Sequence, residues 1–156
     1  MGLTHAKFAG NRTTIGKGKE VVSLYHTIAV VKGRPYVRHY VYVAGTEPKE
    51  EAFTPVEETT LNLNKVVIAL ETSPAGEYSL FQESGPCDAA YVGTGVAIGD
   101  PLEVIAAGTS LILTGTTGTI TRDIKTCAYA CEANASGAAA LKKVLLLREV
   151  HQVAAT

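Results

Sequence analysis

The sequence predicts a mainly β protein, a sandwich or small barrel with an extended N-terminal arm and a β-hairpin extension. Three observations predict it. Short apolar segments recur from about residue 60 onward, separated by Gly-, Pro-, Asn- and Ser-rich turns. The most helix-prone stretch, 138–148, carries Val144-Leu145-Leu146-Leu147, apolar on every face, and reads as a strand from about Lys142. Residues 1–20 are polar and Gly-punctuated, with no core-forming face.

Residues 1–20 are also basic, with Lys7, Arg12, Lys17 and Lys19 against Glu20. They read as an extended arm. Residues 21–44 are rich in Val, Tyr and Ile and break at Lys32-Gly33-Arg34-Pro35, which predicts strand, turn and strand. Residues 45–59 hold Glu47, Glu50, Glu51, Glu57 and Glu58 with Pro48 and Pro55, the composition of an acidic surface loop. The stretch 21–59 is thus a hairpin with an acidic loop, as an added subdomain would be, and 60–156 is the main domain.

Within that domain the apolar segments are 61–70, 78–82, 89–92, 102–105, 111–114, 126–131 and 142–150. Turns are expected at Ser73-Pro74-Ala75-Gly76, Ser84-Gly85-Pro86, Gly99-Asp100-Pro101, Gly115-Thr116-Thr117-Gly118 and Asn134-Ala135-Ser136-Gly137. Strands at this spacing point to a sandwich or barrel. Residues 138–148 are rich in Ala, Leu and Lys, but Val144-Leu145-Leu146-Leu147 is apolar on every face. A strand is expected from about Lys142, with room for a helical turn at 138–141. Residues 69–76 faintly echo 130–137: Ala, then Glu, then a closing Gly recur in step. Two hairpins obeying the same turn rules explain that.

Lys and Arg total 14, Asp and Glu total 15, and the formal charge is -1. Nothing global points to nucleic acid or an anionic membrane. Charged residues are only 19% of the chain, which suits a protein that buries surface against partners. No run of about 18 apolar residues predicts a membrane helix. No apolar segment follows Met1 in the manner of a secretory signal. The odd cysteine count, Cys87, Cys127 and Cys131, fits free thiols.

Chemistry-bearing patterns have turn or core explanations. Gly93-Thr94-Gly95-Val96-Ala97-Ile98-Gly99 lacks the Gly-Lys-[Ser/Thr] ending of a phosphate loop and opens no clear helix. On a strand, Cys127 and Cys131 would lie roughly 13 Å apart, too far to share a metal, so both read as core thiols. Cys87 reads as a loop residue after Pro86. The histidines His5, His26, His39 and His151 are scattered. Asp100, between Gly99 and Pro101, suits a side chain that caps its own turn. No catalytic, cofactor-binding or metal-binding residue is expected. An enzyme reading would have to gather Asp100, His39 or the thiols into one cleft.

The strongest candidate surface is Tyr36-Val37-Arg38-His39-Tyr40-Val41-Tyr42-Val43. Alternation puts Tyr36, Arg38, Tyr40 and Tyr42 on one face. That face suits a protein interface. It also suits stacking of single-stranded bases, or a half-buried strand with cross-strand aromatic pairs.

The order Gly99-Asp100-Pro101-Leu102-Glu103-Val104, a Gly-rich hairpin, Ala128-Tyr129-Ala130-Cys131-Glu132-Ala133 and Lys143-Val144-Leu145-Leu146-Leu147 resembles the small capsid decoration, or cement, proteins of tailed phages. Ile68-Ala69-Leu70-Glu71, Tyr78-Ser79-Leu80-Phe81 and Gly85-Pro86 are similar to the middle of the lambda-type head decoration family. The resemblance covers roughly residues 60–150. It implies a β-tulip-like or barrel domain without cofactor or enzymatic activity. It implies a homotrimer on the outside of an icosahedral virion, made in the host cytoplasm, that clamps adjacent copies of the major capsid protein. No membrane and no direct nucleic-acid contact are implied. In that setting the arm is the expected capsid anchor, through Thr4, Lys7, Phe8, Arg12, Ile15 and Lys17. A segment of about 20 residues reaches up to roughly 65 Å when extended and can add a strand to a partner sheet. Three arms on one trimer would multiply a weak attachment.

Overall fold

The computed structural model describes residues 12–15, 18–41, 44–45, 49–53, 65–105, 108–114 and 124–153. These form a β protein built on one closed barrel of five strands with further strands attached, and no helix is present among them. The strands are β1 (Arg12–Ile15), β2 (Lys19–His26), β3 (Pro35–Val41), β4 (Lys49–Phe53), β5 (Lys65–Ala69), β6 (Glu77–Val92), β7 (Pro101–Glu103), β8 (Ile112–Leu113), β9 (Ile124–Ala130) and β10 (Ala140–Val153).

The barrel closes in the order β2-β4-β3-β5-β6, with β6 returning to β2. Alternation decides its inside. On β2, Val22 and Leu24 point to the core; on β5, Val67 and Ala69 do; on β6, Phe81 does. Tyr36 and Phe81 meet edge to face at 5.7 Å between ring centroids. β5 is apolar on both faces, because Val66 and Ile68 pack into a second core. That second core belongs to the remaining strands. The C-terminal half of β6 pairs with β10, β10 with β9, β9 with β7 and β7 with β8. A parallel bridge from Val92 to Leu111 returns this set to β6. Each ring therefore uses one half of β6.

The second ring repeats the first. β2, β3, β4, β5 and β6 correspond in order and direction to the C-terminal half of β6, β7, β8, β9 and β10. The registers agree pair for pair. Pro35 faces Ile68 as Pro101 faces Tyr129, and Ile68 faces Gln82 as Tyr129 faces Leu145. The turn hydrogen bonds agree as well. Gly33 N donates to Ala69 O and Gly99 N to Ala130 O, each at 2.8 Å. Leu70 N donates to Leu80 O and Cys131 N to Lys143 O, each at 2.9 Å. The faint echo between 69–76 and 130–137 is thus part of a correspondence that also matches Tyr25 with Tyr91, Val30 with Val96, Gly33 with Gly99 and Pro35 with Pro101.

Several expectations change. Ser84-Gly85-Pro86 is not a turn between strands; β6 runs through it for 16 residues. Gly85 takes a φ of +85° there, and the register slips by one between Glu20 and Val21 on the facing strand. The Gln82 amide then donates to the carbonyls of Ser84 (3.1 Å), Gly85 (3.3 Å) and Pro86 (2.9 Å). Replacing Gln82 by leucine is expected to cost about 1–3 kcal/mol in urea unfolding, since this bend loses its side-chain donor. The acidic stretch is not all loop: β4 lies in it, and Glu51 is buried. With β2 and β3, β4 walls the first ring together with β5 and β6, so packing runs across 59/60. Strand β10 begins at Ala140 with no helical turn before it. Of the arm, Arg12–Ile15 forms β1, an antiparallel edge strand on β2. The expected turn at 115–118 lies outside the described residues.

Candidate assembly surface

The Tyr-rich strand does not present the expected face. Tyr36 is buried in the first core, and its hydroxyl accepts from Val31 N at 2.9 Å. Arg38, two residues on, lies on the same inward face and donates to Glu83 at 2.7 Å. Lys65 stands 3.9 Å from the same carboxylate. The two cations and the buried Glu83 thus close one end of the first ring's interior. Neither Tyr36 nor Arg38 is free to stack a base or anchor a partner. Only the strand position of Tyr40 is described, and Tyr42 lies outside the described residues. Period-2 alternation groups side chains without saying which group turns inward, and here the Tyr36 and Arg38 group does. The second ring carries Val104, Thr126 and Leu146 at the positions matching Arg38, Lys65 and Glu83, all buried.

Thr4, Lys7, Phe8 and Lys17 of the arm lie outside the described residues, while Arg12 and Ile15 occupy β1. Asp100 caps its own turn as expected, accepting from Ala97 N at 2.8 Å. Of His39 only the strand position is described. Cys87 is not a loop residue but sits buried in β6, where burial pushes its thiol pKa up. Cys127 is buried in β9, and burial pushes its pKa up to about 12. Cys131 is exposed rather than a core thiol, because β9 ends one residue before it. Among the described residues no group of three or more His, Cys, Asp or Glu side chains is placed to hold a metal.

A cleft of about 270 Å³ lies where the rings meet, lined in part by Lys19, Lys32, Leu70, Gln82, Cys87 and Asp88. Lys19 closes on Asp88 at 2.6 Å across it. Nearby, Glu20 accepts from the Ser84 hydroxyl at 2.7 Å and pairs with Arg148 of β10. Those contacts hold its carboxyl pKa below the ordinary range, the Ser84 bond most and Arg148 next. They tie the start of β2 to the last strand.

No family model, no curated protein and no solved structure matches the chain.

The surface that sequence reading missed is an apolar row on the outside of the second ring. Pro101, Tyr129, Leu145 and Pro86 lie side by side across β7, β9, β10 and β6. Leu145 is 40% exposed, Pro86 is exposed, and Pro101 and Tyr129 are half-buried. The matching row of the first ring is Pro35, Ile68, Gln82 and Val21, and every member is buried. A pattern search could have found the row only by pairing four strands in register. One strand alone shows just Leu145 among other leucines.

Proposed function

We propose that the chain is a structural virion protein, a capsid decoration protein. It binds the outside of an icosahedral phage shell as a homotrimer and clamps adjacent major capsid protein subunits. One observation carries the reading. The motifs that resemble the decoration family, 99–104, 128–133 and 143–147, fall on β7, β9 and β10, three neighbouring strands held in register through Pro101, Tyr129 and Leu145. The motifs at 68–71 and 78–81 fall at the end of β5 and in β6, so the resemblance runs over strands of both rings. The apolar row there offers area for contact with a neighbour. The arm remains the proposed capsid anchor, through Thr4, Lys7, Phe8, Arg12, Ile15 and Lys17, of which Arg12 and Ile15 lie in the edge strand β1.

The test is co-sedimentation with expanded shells. The full chain is expected to saturate them, and a chain lacking residues 2–11 but keeping β1 is expected to lose most of that occupancy. Wild-type occupancy after the deletion would sink the anchor. Failure of the full chain to bind shells would sink the capsid reading.

A further inference from the structure

The cleft of about 270 Å³ between the rings owes its place to two irregularities of β6. The strand bends at Gly85 and bulges just after it. Lys142 faces Ala90 and Val144 faces Cys87, so Lys143 alone stands opposite both Asp88 and Ala89. A bulge re-aims side chains, and Asp88 and Ala89 both line the cleft. Part of the lining is apolar: Val21 and Leu70 pack in a small cluster apart from both ring cores, and Ala89 stands opposite them on the second ring's half of β6. The rest is charged. Lys19 reaches Asp88 at 2.6 Å, its own side chain only 23% exposed. Lys32 lies exposed at the mouth, with no ion-pair partner among the described residues. Two cations and one anion thus leave a net charge of +1 beside an apolar hollow.

We infer that this cleft binds a small amphiphilic carboxylate. Its apolar body lies on Val21, Leu70 and Ala89, and its single negative charge is met by Lys32 and Lys19. The volume falls just under the roughly 300–1,000 Å³ of drug-sized sites, which keeps the ligand small. Asp88 competes with the ligand for Lys19, so entry of a carboxylate breaks the Lys19–Asp88 pair. Because the lining comes from both rings, a bound ligand bridges them and stabilises the fold by mass action. This inference is independent of the capsid reading, since it concerns a small molecule and needs no shell.

The experiment is titration of the full chain with octanoate, followed by backbone amide chemical shifts. Acetate, which is all head, and octanol, which lacks the charge, are the controls. Octanoate is expected to give saturable shifts at the residues of the cleft. Acetate should give none over the same range, and octanol should bind roughly tenfold more weakly. Lys32→Ala is expected to weaken octanoate by a similar factor and to leave octanol unchanged. Asp88→Asn should tighten octanoate several-fold, because Lys19 is then uncontested. Both side chains are exposed, so neither substitution should move the thermal melt. Octanoate shifts that do not saturate, that acetate reproduces, or that spread over lysines elsewhere on the surface overturn the inference. So does octanoate binding that Lys32→Ala leaves intact or that Asp88→Asn fails to tighten.

Discussion

Replacing Gly85 by alanine is expected to destabilise the protein by about 3 kcal/mol or more, a large share of the roughly 5–15 kcal/mol that holds a domain folded. Two effects add. The φ of +85° suits glycine and strains any residue with a Cβ. A Cβ built there would also press on backbone, 2.9 Å from the Gly18 carbonyl carbon and 3.1 Å from the Lys19 Cα. Those atoms belong to the entry of β2 and cannot swing aside as a side-chain tip can. Gly33 makes a useful comparison. Its φ is +83°, but the closest atom to an added Cβ is Leu141 Cδ2 at 2.5 Å, the far end of a half-exposed side chain. Gly33→Ala should therefore cost less than Gly85→Ala. Urea midpoints of the two variants measure the difference, and equal costs would contradict this account of the β6 bend.

The second large effect concerns alkaline pH. Burial pushes the Cys127 thiol from an ordinary 9.0 up to about 12. The folded protein thus holds that proton more tightly than the unfolded chain does. The resulting stability is fully present below pH about 9 and is lost as pH rises through about 12. At about 1.4 kcal/mol for each tenfold change in proton affinity, the loss reaches about 4 kcal/mol. Tyrosines and lysines titrate in the same range, so the decisive quantity is the difference between the wild type and Cys127→Ala. That difference should shrink steadily from pH 9 upward. A difference independent of pH would mean that the thiol is not held neutral by its surroundings. Cys87, raised by burial as well, adds loss of the same sign to both proteins.

The β class was legible because turns are written in residues with few alternatives. Gly99-Asp100-Pro101 is a turn in both readings, and its aspartate caps it as such sequences do. The same chemistry misled at Ser84-Gly85-Pro86. Gly and Pro mark a bulge within a strand as readily as a turn between strands, and only the facing strand separates the two. The repeat was nearly invisible because its halves share residues mainly where the backbone demands them, as at Gly33 and Gly99 or Pro35 and Pro101. Their interiors diverge: Arg38, Lys65 and Glu83 in one ring become Val104, Thr126 and Leu146 in the other. The candidate surface was hidden for a related reason. Its four residues come from four strands, and local alternation carries no information about their register.

β6 is one continuous strand serving as the last wall of one ring and the first wall of its repeat. Residue-by-residue amide hydrogen exchange along 77–92 tests that continuity most directly. The expected result is slow exchange for the paired amides on both sides of Gly85, released together in a single global opening. A rapidly exchanging gap at 84–88, with the two halves opening at different free energies, would contradict it.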